Sequence, residues 1–193
     1  MTQGREPDTI LVRPSIDADV ADMLWIYRHH ACHGVGDTGG YEPARFDAED
    51  LKARRKNMRK HRLPHLVAII DGQVAGYAYV VPFRKRPAYR YTVKHSIYVH
   101  PERLGCGVGR ALLAALIEAC AAAGYRQLIG YIDGGNAASL KLHEAFDFAV
   151  VGRLPAVAYR FDHWSETVMV QRALGPGGDA PPSPWGPDGP ITD

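Results

Sequence analysis

Apolar residues along this chain follow two rhythms, one of period two and one of helical spacing, and their order outlines a mixed α and β architecture. Residues 10–14 read as a short first strand. Ser15 or Asp17 is placed to cap a helix whose apolar residues Ile16, Val20, Leu24, Tyr27 and Ala31 share one face. A glycine-rich loop covers 34–40, and Asp47 starts a second helix that carries Lys52, Arg54, Arg55, Lys56, Arg59 and Lys60. Residues 66–70 and 74–81 read as strands. Asp71-Gly72 between them favours a tight antiparallel hairpin.

Residues 95–100 alternate and are rich in β-branched and aromatic side chains, which predicts another strand. Val108, Leu112, Ala115, Leu116 and Ala119 then recur at helical spacing, and Gly124 stands where a helix C-terminal glycine would. A strand over 127–132, a helix over 136–145 and two strands over 149–154 and 166–171 complete the pattern. Residues 95–132 form one strand-loop-helix-strand unit. The rhythms divide the chain into a flexible N-terminus (1–9), one domain (10–174) and a proline- and glycine-rich tail (175–193) expected to be disordered.

Composition narrows the classes. A length of 193 residues with 46% hydrophobic and 23% charged residues suits one globular domain with a single core. The formal net charge of +2 gives no bulk attraction for nucleic acid or an anionic membrane, so neither is an expected partner. No apolar run approaches the roughly 20 residues that span a bilayer. Cys32, Cys106 and Cys120 show no disulfide or zinc spacing. A cytoplasmic location is expected, and no metal.

The candidate chemistry lies in the loop of the strand-loop-helix unit. A helix N-terminus presents unpaired N–H groups and partial positive charge. Glycines just ahead of it let successive N–H groups converge on one anion. Gly105, Gly107 and Gly109 occupy that place, flanked by Arg103 and Arg110, so the loop is expected to hold phosphate. The alternative is a tight turn and nothing more. By contrast, 34–39 match the dinucleotide-binding glycine pattern but follow a helix and precede none, so that match is set aside.

The run Tyr98-Val99-His100-Pro101-Glu102-Arg103-Leu104-Gly105-Cys106-Gly107-Val108-Gly109-Arg110 resembles the acetyl-CoA loop of the GNAT N-acetyltransferases, with Leu104 where that loop has Gln or Arg. Residues 82–93, Asn136-Ala137-Ala138-Ser139-Leu140-Lys141-Leu142-His143-Glu144, and Val168-Met169-Val170-Gln171 resemble the phosphinothricin and methionine-sulfone acetyltransferase branch. The resemblance covers 10–174. It implies a splayed, mostly antiparallel sheet of six to seven strands with about four helices, acetyl-CoA wedged between two parallel strands, and a homodimer. It also implies direct transfer of acetyl from acetyl-CoA to the primary amine of a small amino-acid-like substrate.

On that resemblance, Ile97, Tyr98, Val99, Arg103, Gly105, Cys106, Gly107, Val108, Gly109, Arg110, Asn136 and Ser139 are expected to hold the cofactor. Backbone N–H groups of 97–99 would face the thioester oxygen, where negative charge develops. His143 is the candidate for moving protons near neutral pH. Asn136 and Ser139 have a second reading as helix caps. Arg84, Arg86, Tyr89 and Tyr27 are the expected substrate contacts. Lys94 departs from the branch, which has glutamate there as general base. Lys94 thus stands at the catalytic position beside His143, where a lysine ammonium cannot take a proton unless burial lowers its pKa by several units, but can attract an anionic substrate. An amine of pKa about 8 is roughly one-tenth neutral at pH 7, and one near 10.4 only about one part in a few thousand. A low-pKa α-amine is therefore the expected acceptor. The alternative reading is a catalytically weakened relative that binds acetyl-CoA as a sensor or structural ligand.

Overall fold

The structure is a computed structural model that describes residues 9–33 and 47–183. The glycine-rich pattern at 34–39, most of the expected N-terminus and the end of the tail lie outside those residues. Among the described residues seven strands form one sheet in the order β1-β2-β3-β4-β5-β7-β6. They are β1 (Leu11–Pro14), β2 (His65–Ile70), β3 (Gln73–Pro82), β4 (Thr92–Val99), β5 (Gln127–Asp133), β6 (Ala149–Arg160) and β7 (His163–Ala173). Four α-helices accompany them within the described residues: α1 (Val20–His33), α2 (Ala48–Lys60), α3 (Val108–Ala122) and α4 (Ala137–Glu144). Every neighbouring pair is antiparallel except β4 with β5.

Two apolar clusters cover the two faces of the sheet. One gathers Val20, Met23, Ile26 and Tyr27 of α1, Leu51 of α2, and Val67, Tyr77 and Tyr98 of the sheet. The other packs Leu112, Leu113 and Leu116 of α3 on Ala68, Ala78, Val80, Val93, Leu128 and Val170. Period-two alternation decides which side chain joins which cluster. Tyr77 and Tyr98 therefore stack on the α1 side, with centroids 5.0 Å apart, while Val93 and His95 face α3 and α4.

Local chemistry explains most element ends, with one correction. Asp47 caps α2, accepting from the N–H groups of Glu49 and Asp50. Neither Ser15 nor Asp17 caps the first helix. The chain enters it through a 3-10 turn at Asp17–Asp19, where the Asp19 carboxylate accepts from the Ile16 N–H at 2.8 Å and from Arg13 at 2.7 Å. Burial works to raise the Asp19 pKa, but those bonds outweigh it and hold the carboxyl below its ordinary value. Ile16, expected on the buried face, is half exposed as a result.

The chain's last part departs further from expectation. β6 and β7 run to 12 and 11 residues and meet at a turn through Phe161 and Asp162. Residues 175–183 are held rather than loose. Arg126 donates to the Pro181 carbonyl at 2.9 Å, and the Tyr91 hydroxyl donates to the Ser183 carbonyl at 2.9 Å.

Candidate active site

The site begins where the parallel strands part. β4 and β5 pair from Thr92 with Gln127 to His95 with Gly130, and no further. β4 continues to Val99 and β5 to Asp133, which stays paired with Thr167 of β7. The strands therefore diverge beyond His95, leaving an edge of β4 with no strand beside it among the described residues. The cavity in this gap is lined by Ser96, Ile97 and Tyr98 of β4, by Tyr131, Ile132 and Asp133 of β5, and by Asn136, Ser139 and His143 of the α4 segment.

Register tells which backbone groups face the gap. The His100 N–H donates to the Ala75 carbonyl at 2.8 Å, which makes Val99 and Gly76 a non-hydrogen-bonded pair. Ile97 and Val99 therefore turn their N–H and C=O groups away from β3, toward the gap. Tyr98 turns its own toward Tyr77 of β3, so among the expected 97–99 contacts it contributes no N–H to the slot. The Val99 carbonyl already has a partner: Nε2 of His30, buried on α1, lies 2.7 Å away and must carry the hydrogen.

Beyond β4 the chain turns through Pro101–Arg103 into the loop. Gly107, the N-cap of α3, has φ +85°, a left-handed conformation that side chains disfavour. Leu104, Gly105, Cys106, Gly107 and Arg110 are exposed at the start of α3, beside half-buried Gly109 and buried Val108. Arg103 lies 3.8 Å from Asp71, and Arg110 lies over the Phe146 ring at 5.2 Å. Such a terminus, with glycines ahead of it, can hold a pyrophosphate. Leu104 adds only an apolar side chain.

At the closed end of the slot, Asn136 caps α4 by accepting from the Ser139 N–H at 3.0 Å. The Ser139 carbonyl lies 2.7 Å from Nδ1 of His143, so that nitrogen carries the hydrogen. Nε2 of His143 lies 2.8 Å from Nε2 of His95. Burial lowers the pKa of His143, against the Ser139 carbonyl. Burial, then the neighbouring His143, push His95 down to about 3, with the Ile129 carbonyl opposing and Lys94 adding to the fall. Both rings are thus neutral near pH 7. In that state His95 donates its Nε2–H to His143.

Lys94 lies on the opposite face of β4, its Nζ 4.8 Å from the centre of the Tyr131 ring. Arg84 lies 5.4 Å from the centres of both the Phe83 and Tyr89 rings, and Arg86 is exposed just before the turn Pro87–Tyr89. Tyr27 is buried edge-on to Tyr98, 5.9 Å between centroids, which makes it a support of the wall rather than an open surface. His30 and His95 are not among the expected cofactor, substrate or proton-moving residues. His95 points to the face of β4 opposite Lys94, and nothing in the sequence reveals that a ring from α4 meets it.

A family model described as the acetyltransferase (GNAT) family matches residues 23–148. The phosphinothricin N-acetyltransferase of Alcaligenes faecalis is 41% identical over 167 residues, 86% of this chain and 83% of that protein. The L-methionine sulfoximine/L-methionine sulfone acetyltransferase of Salmonella typhimurium is 32% identical over 84% of this chain and 94% of its own length. Among solved structures, a phosphinothricin acetyltransferase from Sinorhizobium meliloti in complex with acetyl-CoA superposes with TM-score 0.85 at 36% identity, covering 91% of this chain and 94% of that one.

Proposed function

The chain belongs to the GNAT acetyltransferase family, and from that premise we propose that it transfers acetyl from acetyl-CoA directly to the primary amine of a small amino-acid-like substrate of the phosphinothricin or methionine sulfone/sulfoximine type. One observation carries this reading. The cavity between β4 and β5 is lined by His143 at the fork, and β4, whose edge it opens along, leads on into the glycine loop that starts α3. An extended thioester arm laid along the free edge of β4 has its phosphates at one end and its reacting carbon at the other.

The roles of individual residues follow from that placement. N–H groups at the start of α3, from Gly107 to Arg110, take the pyrophosphate with the helix dipole behind them. Ile97 N–H faces the thioester oxygen, where negative charge grows as the amine attacks. Val99 N–H holds the arm further out. Asn136 and Ser139 keep α4 and its histidine against the slot. On the acceptor side, Lys94, Arg84 and Arg86 supply positive charge for a carboxylate or phosphinate group. The nitrogen attacks the carbonyl carbon, the carbon–sulfur bond breaks, and the proton lost by nitrogen is the one gained by sulfur.

With lysine where the branch has glutamate, no carboxylate at that position removes the amine's proton. The acceptor is therefore an α-amine of low pKa rather than a lysine side chain. The unpaired thiols of Cys32, Cys106 and Cys120 suit a reducing compartment, and the cytoplasm is the location this reading takes. The protein acts there as a homodimer formed through the exposed apolar side chains of β6 and β7. The activity is tested by thiol release from acetyl-CoA with a panel of amines at pH 7. Phosphinothricin and methionine sulfone are expected to turn over, and ε-amines poorly. Fastest reaction with ε-amines would overturn the acceptor assignment. Tight acetyl-CoA binding without turnover of any amine would overturn the activity.

A further inference from the structure

A nitrogen that becomes an amide must shed a proton, and neither imidazole at the fork offers it a lone pair. Nδ1 and Nε2 of His143 are both bonded, at 2.7 Å to the Ser139 carbonyl and at 2.8 Å to His95. Nδ1 of His95 is sealed from solvent. Among the described residues that line the cavity, Asp133 alone carries a carboxylate. It ends β5, half-buried, on the wall facing β4. Parallel register pairs Thr92 with Gln127 and His95 with Gly130. Continued past the fork, that register sets Ile97 level with Ile132 and Tyr98 level with Asp133. The carboxylate therefore stands across the slot from the stretch of β4 whose Ile97 N–H faces the thioester oxygen.

Its face and its bonding suit an incoming amine. Tyr131 shares a face with Lys94, whose Nζ lies 4.8 Å from the ring centre, and Asp133, two residues on, shares that face too. This is the acceptor side, opposite His95 and His143. Oδ1 of Asp133 accepts from the Gly135 N–H at 2.8 Å, which fixes the side chain, and Oδ2 has no donor among the described residues. Glu166, beside the turn at Gly134, is bonded to Arg153 at 2.9 Å and does not line the cavity.

We propose that Asp133 is a catalytic residue for acetyl transfer, whose Oδ2 takes the proton that the acceptor nitrogen sheds as the amide forms. The inference rests on the acetyltransferase reading above. Two protons leave the nitrogen in turn. The first makes the amine an ammonium, and water takes it before attack, so the preference for amines of low pKa stands. The second leaves once the nitrogen has bonded to the carbonyl carbon, where it is positive and acidic, and a carboxylate within reach takes it. The carbon–sulfur bond then breaks and its electron pair leaves on sulfur. Asp133 returns its proton through water to that thiolate, so one amine and one thioester become one amide and one thiol.

The test is thiol release from acetyl-CoA by the native chain, Asp133→Asn and Asp133→Glu, with acceptor amines of pKa from about 8 to about 10. Asparagine keeps an oxygen for the Gly135 N–H and removes the base. Asp133→Asn is expected to lower kcat by about 100-fold or more while KM for acetyl-CoA stays within about twofold. Calorimetry should find its acetyl-CoA affinity unchanged. The loss should grow with amine pKa, because a more basic nitrogen holds its second proton more tightly. Asp133→Glu, which keeps a carboxylate, should lose less. A loss that is equal for all amines, as large in Asp133→Glu, or matched by lost acetyl-CoA affinity marks a structural role and overturns the proposal. A native chain that turns over no amine overturns the activity itself, and this inference with it. Native turnover beside an equally fast Asp133→Asn overturns the inference alone.

Discussion

His65, His95 and His143 are 8%, 6% and 4% exposed, and each has its pKa lowered, to about 4 for His65 and about 3 for His95. Burial is the main cause for all three, with Arg55 and Arg54 adding to it at His65. In the unfolded chain such rings take up a proton near pH 6.5. Between that value and the lower folded one, the unfolded state binds more protons, so stability is complete above about pH 6.5 and falls as pH drops. Each ring removes up to about 1.4 kcal/mol per pH unit in that window. The thermal midpoint is expected to fall by several degrees from pH 7 to 5.5. A flat midpoint over that range would contradict the neutral, buried state of these rings. Lys94 acts on rate instead. Lys94→Glu is expected to raise kcat/KM at pH 7 by roughly tenfold or more for amines of high pKa, and less for those near 8. Equal gains for both classes would refute the link to amine ionisation. Lys94 and His143 could be named from sequence because each sits at a fixed distance from a recognisable motif. His95 and His30 could not, because their partners, His143 and the Val99 carbonyl, are 48 and 69 residues away.

At the level of elements, the strand, loop and helix around Gly107 were legible because their chemistry is local: alternation, then glycines, then a 3.6-residue apolar stripe. Gly107 has φ +85° and open space about it, with only Ile10 Cδ1 within reach of an added methyl, at 3.6 Å. Gly107→Ala therefore acts through the backbone and not by collision. It should cost about 1–2 kcal/mol of stability and, by tilting the N–H groups off the pyrophosphate, weaken acetyl-CoA binding by about tenfold. Calorimetric titration would show this, and unchanged affinity would remove the loop from the cofactor site. The divergence of β4 and β5, on which the slot depends, was not legible from either strand alone. It is set by where β7 captures β5 and where β3 retains β4. The length of the β6–β7 hairpin is hidden in the sequence for a different reason. Pro155 looks like a terminator, yet the strand absorbs it in an irregularity between Leu154 and Ala158, where Ala156 has φ +49°. The turn at Phe161-Asp162 takes positive φ at both positions, 48° and 60°, without the glycine that usually marks such a turn.

For the whole molecule, the consequence of that long hairpin is a surface. Val150, Val151, Leu154, Val157 and Tyr159 of β6, Phe161 in the turn and Trp164 of β7 are each between 40% and 62% exposed. Among the described residues β6 is an edge strand, with β7 on one side and no strand on the other. An apolar edge of this kind promotes pairing with other chains unless something covers it, and a patch on the order of several hundred Å² commonly marks an interface. A second copy is the occupant that needs no further component, because a two-fold contact uses the same patch twice. A stable dimer takes about 800 Å² from each partner, which the seven side chains and a polar rim can supply. The hairpin also borders the slot: Thr167 of β7 pairs with Asp133, and Arg153 of β6 bonds Glu166 at 2.9 Å beside the turn at Gly134. Dimerisation would therefore steady the β5 side of the site. The double variant Val157→Glu/Trp164→Ser is expected to sediment as a monomer at concentrations where the native chain is a dimer, with its core intact by circular dichroism and its kcat reduced severalfold. A native chain that sediments as a monomer throughout would refute the dimer. A monomeric variant with full kcat would show that the interface and the site are independent.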